Sequence, residues 1–409
     1  MYDLLLKGGE VIDGVQNIHD RRDVAIKGGK IAAVEKDIAK CEAEKVIPVN
    51  GRLVTPGLID IHCHPGEELM GFGVPADEIG LDSGVSLLCD GGSAGAANFH
   101  TMRRFIVEPA RTDIFCFLNL AKTGLVIIPE IRNERDIDPE WSKRVVEENR
   151  DLIKGIKLRA VQPLAEGIGI KAVEIAKKLA ADVKLPFMMH IGETRDRVAK
   201  EVMDDFTRAA VKLMEKGDIL SHFMTWEAGG LILPDGTVYP EILEAQKRNV
   251  ILDSCHGFNH FSFTVARYAL QQGLLPTVIS TDFAVPPHKR VVQSLIVIMS
   301  KFLNLGLTID QVIEMTTINP AKALGEEARW GSLKPGVPAN VAIMEIVEGE
   351  YLFSDGNGRN SIRGNLLLEP RLVLKDGSEV SCCSRYQVPP VYATLQHWQK
   401  DLGKVEESK

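Results

Sequence analysis

Hydrophobic and polar positions divide the chain into two β-rich ends and a middle in which strands and helices alternate. In the first fifty residues, short apolar runs such as 4–6 and 24–26 are separated by glycine and aspartate turns. The same pattern returns near the other end, at 341–346 and 372–374. Short apolar runs bounded by turn residues are typical of small antiparallel units. We therefore predict one small β-sandwich domain formed from both termini.

The middle of the chain alternates apolar runs with stretches of helical periodicity. The predicted strands are 58–64, 85–90, 114–120, 155–159, 187–191, 219–223, 250–254 and 278–282. The predicted helices include 171–181, 200–216, 240–248 and 263–272. Eight strands that alternate with helices indicate an α/β fold, a parallel (β/α)8 TIM barrel. An open doubly wound sheet would require a glycine-rich phosphate loop, and residues 91–95 lack the G-x-G-x-x-G spacing, so we interpret them as a plain loop.

These patterns predict the following domain organisation. Residues 1–51 and 332–385 form the two parts of the β-sandwich, and residues 52–331 form the barrel. Residues 386–409 are a polar C-terminal tail.

Composition and charge narrow the function classes. Hydrophobic residues make up 45% of the 409 positions and charged residues 25%, the usual mixture of a folded protein with a large core. The net charge is −8 and basic residues do not cluster, which argues against nucleic acid or an anionic membrane as partner. Seven scattered cysteines favour a reducing compartment. The chain shows neither a signal-peptide pattern nor a long apolar run, so we expect a cytoplasmic protein. We also expect that it acts on a small molecule and forms a homo-oligomer.

Residues that bind metals recur where the predicted barrel strands end. The first strand closes with His62 and His64, which side-chain alternation places on one face, and Asp60 shares that face. Four further strands carry one such residue each: Lys157, His190, His222 and Asp282. The carboxyl ends of barrel strands line active sites, so these side chains are expected to meet there. A lone histidine is usually structural, but so many ligand-type strand ends predict a metal centre.

This pattern resembles a known superfamily. Residues 56–64, PGLIDIHCH, are similar to the opening signature of the amidohydrolase superfamily. Lys157, His190, His222 and Asp282 match its positions on strands four, five, six and eight. Residues 319–325 and 331–336 are also similar, so the resemblance covers nearly the whole chain. Within the superfamily, the chain most resembles the amidohydrolase/deacetylase branch, near the dihydroorotases and hydantoinases.

The resemblance implies two divalent metal ions, which we expect to be Zn2+. Lys157 would capture carbon dioxide and bridge the two ions as a carbamate. His62, His64 and Asp282 would hold one ion, and His190 and His222 the other. A hydroxide between the ions would be the nucleophile, and Asp282 would take its proton and pass it to the leaving group.

Substrate contacts are predicted from position alone. Arg159 follows Lys157 on the same strand face and could bind a substrate carboxylate through two hydrogen bonds, although an ion-paired arginine is the alternative. His256 and Asn259 lie in a polar segment after the seventh strand and are further candidates.

The sequence thus predicts a metal-dependent, deacetylase-like hydrolase that cleaves an amide or ester bond in a small N-acyl or O-acyl acid. One alternative is a cyclic amidohydrolase that resembles dihydroorotase or hydantoinase. Another is a deaminase, because residues 190–193, HIGE, resemble the His-x-Gly-Glu segment of adenosine-type deaminases and give Glu193 a possible role. Lys157 favours the two-metal hydrolase over the deaminase. A metal-free scaffold protein is disfavoured, since such relatives lose ligands and none is missing here.

Overall fold

The computed structural model describes residues 1–67, 69–194, 199–284, 292–356 and 360–383. The tail expected at 386–409 therefore lies outside the described residues.

The middle of the chain forms a curled parallel sheet, and its strands pair in chain order. The strands are β6 (Leu58–Cys63), β7 (Val85–Asp90), β8 (Asp113–Asn119), β9 (Ile153–Arg159), β10 (Phe187–His190), β11 (Ile219–Ser221) and β12 (Ile251–Asp253). Every residue of β6, β7 and β10 is buried, as expected for strands covered by helices on one side and a barrel interior on the other. The alternating pattern therefore predicted the barrel correctly.

The eighth strand, expected at 278–282, does not form as a regular strand. Its backbone nevertheless closes the barrel, because Ser254 N–H donates to Val278 O and Asp282 N–H donates to His62 O. Isolated parallel bridges join Asp253 to Val278 and Cys63 to Phe283. The left-handed backbone of Asp282, with φ of 50°, is incompatible with a continuous strand.

Helices surround the sheet and cover its outer face. They are α1 (Ala76–Ile79), α2 (Phe99–Met102), α3 (Pro139–Glu148), α4 (Ile170–Val183), α5 (Lys200–Lys212), α6 (Pro240–Lys247), α7 (Phe263–Gln271), α8 (Leu295–Asn304), α9 (Ile309–Glu314) and α10 (Ile318–Ala323). The helices predicted at 171–181, 200–216, 240–248 and 263–272 correspond to α4 to α7. Among the described residues, no helix is both long and apolar enough to cross a membrane.

Strands from both termini form one further sheet. They are β1 (Tyr2–Asp13), β2 (Ile18–Lys27), β3 (Lys30–Glu35), β4 (Ala43–Pro48), β5 (Leu53–Pro56), β13 (Val341–Ser354), β14 (Ser361–Lys375) and β15 (Ser378–Val380). Leu6, Val24, Val341 and Leu374 share one apolar core, so the two ends of the chain fold together. The sheet is not wholly antiparallel, because β1 pairs in parallel with β4 and β5.

Candidate metal centre

Four of the predicted ligands meet at one end of the barrel. His62 Nε2 lies 2.8 Å from Lys157 Nζ and 3.7 Å from Asp282 Oδ1. His64 Nε2 lies 3.1 Å from the same carboxylate oxygen. These side chains come from β6, β9 and the segment that closes the barrel, so residues far apart in sequence converge on one point.

The other two predicted ligands form a second, adjoining group. The rings of His190 and His222 are 4.2 Å apart, and the ring of His260 lies 4.3 Å from that of His222. Asp282 Oδ2 lies 3.9 Å from His222 Nε2 and so connects the two groups. All six predicted ligands therefore lie in one continuous cluster.

Burial controls the charge of this cluster. Burial, together with repulsion from Lys157, lowers the pKa of His62 to about 4. Burial likewise lowers the pKa of Lys157 to about 8, so its neutral amine is accessible near neutral pH. Burial alone raises the pKa of Asp282, but the hydrogen bond from His64 and the nearby imidazoles outweigh it, and this pKa lies well below its usual range. The cluster therefore combines neutral imidazoles with an ionised carboxylate.

The two predicted ligands of the second group, His190 and His222, have ring nitrogens available to bind a cation. His222 Nδ1 lies 2.7 Å from Cys255 O, a contact that requires the proton on Nδ1 and leaves the Nε2 lone pair free. Among the described residues, neither His190 Nε2 nor His222 Nε2 has a hydrogen-bond partner, although both atoms are buried. A buried acceptor without a partner costs free energy unless something else binds it. Neutral imidazole and carboxylate donors fit divalent zinc, so the residues present suit the predicted metals.

The Nδ1 atoms of His62 and His64 contact polar groups outside the cluster. His62 Nδ1 lies 3.0 Å from Cys255 Sγ and 3.2 Å from Ser221 Oγ. His64 Nδ1 lies 2.9 Å from Ser93 Oγ. Such outer contacts fix the ring orientation of metal ligands. Asp60, which shares the strand face of His62 and His64, accepts a hydrogen bond from Thr281 Oγ1 at 2.6 Å and so fixes the backbone beside Asp282.

Two residues of the cluster adopt strained backbone. His222 and Asp282 have φ values of 68° and 50°. Left-handed backbone is unfavourable for residues with a Cβ and concentrates at functional sites. These left-handed turns point both side chains into the cluster.

Residues 91–95, interpreted above as a plain loop, pack directly on the cluster. A Cβ at Gly91 would lie 2.2 Å from His62 Cδ2, and a Cβ at Gly92 would lie 2.6 Å from Lys157 Cγ. Only glycine allows the loop to pass this close.

We therefore predict that Gly91→Ala displaces the His62 ring and lowers kcat/KM on the order of 100-fold, the cost of a small misplacement of reactive groups. Gly71→Ala is the matched control, because no described residue lies within 4 Å of the point that its Cβ would occupy, and it should behave as wild type. Steady-state kinetics and zinc content measure the effect. Equal activity of the two variants would contradict a packing role for Gly91.

The loop after β12 differs from the sequence-based expectation. His256 is turned away from the cluster, with Nδ1 2.8 Å from Gly257 O and Nε2 2.9 Å from Lys301 Nζ. Asn259 is half-buried, and its Oδ1 has no hydrogen-bond partner among the described residues. Sequence reasoning missed His260, which stacks beside His190 and His222, and Cys255, whose sulfur lies within 4.8 Å of the His222 and Asp282 ligand atoms. The polar segment itself was a signal, but it did not show which residues turn inward.

Arg159 and Glu193 lie at the edge of the cluster. Arg159 Nη1 lies 3.4 Å from Oε2 of the buried Glu130, a long contact and the one ion pair that Arg159 makes among the described residues. Glu193 Oε2 accepts a hydrogen bond from Gln162 N–H at 2.7 Å and so holds the loop after β9.

Comparison with known proteins shows which enzymes this chain is similar to. The profile of the amidohydrolase family matches residues 53–364. A deacetylase from Brucella anthropi is 33% identical over 389 residues, which cover 94% of this chain and 93% of the relative. A solved structure described as a dihydroorotase has a TM-score of 0.82 and 30% identity, covering 95% of this chain and 100% of its own. Another, described as an adenine deaminase, has a TM-score of 0.83 and 29% identity, covering 93% and 100%.

Proposed function

Since the chain belongs to the amidohydrolase family and is a hydrolase of carbon–nitrogen bonds, we propose that it removes the acyl group from small carboxylate-bearing N-acyl or O-acyl acids. The observation that carries the proposal is the cluster of four buried histidines, buried Lys157 and the partly buried Asp282 at the carboxyl end of the barrel. The similarity of the chain to a deacetylase over nearly its full length favours transfer of an acyl group to water.

The cluster would hold two divalent ions, in the arrangement that the family resemblance implies. His62, His64 and Asp282 would hold one ion, and His190 and His222 would hold the other. When bound, zinc ions would supply an activated water and polarise the scissile carbonyl.

Lys157 would complete this centre after modification. Its neutral amine nitrogen adds to the carbon of carbon dioxide and releases one proton, which leaves a carboxylate on the side chain. The lowered pKa of Lys157, about 8, supports this reaction because the neutral amine is the reactive form. An unmodified ammonium would repel the cations, whereas a carbamate attracts them.

Asp282 would move the proton. One carboxylate oxygen is held by His64, while Oδ2 faces the second histidine group. Oδ2 accepts a proton from the attacking water and later donates it to the leaving amine or alkoxide. The low pKa of Asp282 keeps the carboxylate ready to accept.

Arg159 would bind the substrate carboxylate. Within the described part of the chain, its contact with Glu130 occupies one guanidinium nitrogen and leaves further N–H groups for a second partner. Substrate turnover tests the whole proposal. Purified enzyme, reconstituted with zinc and bicarbonate, should release acetate from N-acetyl or O-acetyl acids, with a kcat/KM in the range of about 10⁴ M⁻¹s⁻¹ or more. Turnover of cyclic amides alone would overturn it.

We predict that Arg159→Lys lowers kcat/KM for acidic substrates by about 10- to 150-fold, because lysine cannot reproduce a two-pronged contact worth about 1.5–3 kcal/mol. Neutral ester analogues should be hydrolysed almost normally, since they never use that contact. Parallel kinetics on both substrate types measure the difference.

Arg150→Lys is the matched control, because Arg150 is ion-paired with Glu147 outside the cluster and should leave both substrate types unaffected. Equal losses of Arg159→Lys on acidic and neutral substrates would mean that Arg159 supports the site structurally.

Hydrolysis of a cyclic amide is the second candidate, supported by the structural likeness to a dihydroorotase. The same cluster would serve it, so dihydroorotate and hydantoins belong in the same assay. A deaminase would depend on Glu193, whose carboxylate is engaged by Gln162. Adenine in the assay tests that alternative directly.

A further inference from the structure

A buried polar network lies next to the metal centre but outside the groups that hold it. Lys301, 1% exposed, lies within the otherwise largely apolar helix α8. Its Nζ donates a hydrogen bond to Ser354 O at 2.8 Å and lies 2.9 Å from His256 Nε2. A buried lysine is rare unless its ammonium is hydrogen-bonded, so these contacts require a reason.

The contact with Lys301 fixes the tautomer of His256. Because Lys301 Nζ donates, His256 Nε2 accepts, and the ring proton is on Nδ1. That proton is donated to Gly257 O at 2.8 Å. The His256 ring also stacks on Phe261, with centroids 4.4 Å apart and an interplanar angle of 19°. The ring is therefore held on both its edges and one face.

Gly257 in turn packs against the proposed proton carrier. Its φ is +54°, and a Cβ there would lie 2.8 Å from Asp282 Oδ2. The backbones of the two segments are also joined, since His256 N–H donates to Ser280 O at 3.1 Å and Gly257 N–H to Thr281 O at 3.0 Å. A small shift of Gly257 would therefore change the space available to the carboxylate.

The other end of the network is anchored in the terminal sheet. Ser354 ends β13, and Gly356 N–H donates to Phe261 O at 2.9 Å, so the end of the hairpin rests on the same loop. Lys301 thus joins the terminal sheet to the loop that borders the metal centre.

We propose that Lys301 is a positioning residue that holds Asp282 in its reactive place through His256 and Gly257. The inference rests on the proposed function, which assigns proton transfer to Asp282. Among the described residues, Lys301 hydrogen-bonds to His256 and Ser354 and to none of the six predicted metal ligands, so its effect on Asp282 must be transmitted by the loop.

The test is Lys301→Met, which keeps an unbranched apolar side chain and removes the ammonium group with its donors. We expect kcat to fall about 10- to 100-fold, the usual effect of losing a partner one contact away from a metal site. KM should change by less than about twofold, and zinc affinity should fall about tenfold. The matched control is Ser300→Ala, the preceding buried residue, whose hydroxyl bonds Ile296 and Leu368 instead. It should retain wild-type kcat and zinc affinity, and equal effects of the two variants would overturn the proposal.

A double-mutant cycle separates this pathway from a general packing defect. If Lys301 acts through His256, Lys301→Met combined with His256→Gln should be no more than about threefold worse than either single variant, because coupled residues are not additive. Losses that multiply would overturn the proposal. If circular dichroism shows that Lys301→Met does not fold, His256→Gln alone decides the matter. His256→Gln should then lower kcat about 10- to 100-fold, the effect expected for Lys301→Met. A wild-type kcat of His256→Gln would contradict the proposal.

Zinc affinity keeps this inference separate from the choice of substrate, because it is measured without any substrate. If the wild-type enzyme hydrolysed no acyl acid, the proposed function would fail. The difference in zinc affinity between Lys301→Met and Ser300→Ala would still decide the role of Lys301.

Discussion

Replacing Asp282 with asparagine is expected to lower kcat by about a hundredfold or more, the scale of general base catalysis, while the fold stays intact. Asparagine has the same shape and can keep the contact with His64, but its amide cannot accept and release the proton. The backbone should tolerate it, because asparagine is one of the residues that adopt the left-handed φ of 50° found here. The acidic limb of the pH–rate profile should disappear as well.

Asp376→Asn is the matched control for this experiment. Asp376 also has left-handed backbone, with φ of 46°, but lies in the turn between β14 and β15, far from the cluster in the fold. It should retain wild-type kcat. Circular dichroism and zinc content of both variants distinguish loss of chemistry from loss of structure or metal. Near-normal turnover by Asp282→Asn would remove Asp282 from the mechanism.

Removing the side chain of Lys157 is expected to abolish the two-metal centre. The wild-type chain should bind about two divalent ions, and its reconstitution from apoprotein should require bicarbonate. Lys157→Ala should retain one ion at most and lose activity on the order of 10³-fold, because the carbamate charge that would hold the two ions is gone. Elemental analysis, with and without bicarbonate, and steady-state kinetics measure both effects.

Lys154→Ala provides the control on the same strand. Lys154 is ion-paired with Glu326 and is partly exposed, so its loss should leave metal content and turnover near wild type. A single tightly held metal in the wild-type enzyme, together with a fully active Lys157→Ala variant, would exclude the bridged pair.

The convergence of these side chains could be predicted from the sequence because strands follow local rules, whereas their role as metal ligands stays a prediction. His190 ends β10, Lys157 lies within β9, and His222 directly follows β11, as the apolar runs indicated. Parallel strands bring their carboxyl ends to one edge, so ligand-type residues there must converge. Even strand β6, where the pairing register shifts between Asp60 and Cys63, brings the rings of His62 and His64 within 5.7 Å of each other.

The direction of side chains in loops could not be predicted in this way. After β12, the left-handed residues Cys255 and Gly257 redirect the chain, so that His256 faces Lys301 while His260 joins the second histidine group. Alternation is defined only for extended backbone, and it therefore could not tell these two histidines apart. The ion pair between Arg159 and Glu130 likewise depends on two segments that meet only in the folded chain.

By itself, then, the sequence determined the barrel, the shared core of the two termini and the six ligand-type side chains, because hydrophobic periodicity and strand direction are local properties. Only the tertiary structure decided how the eighth segment closes the barrel, where Asp282 turns inward at φ of 50° instead of continuing a strand. It also decided that Gly91 and Gly92 must lack side chains, since the space they leave is occupied by His62 and Lys157 from other strands. Close packing between segments distant in sequence sets these features, and no local pattern encodes it.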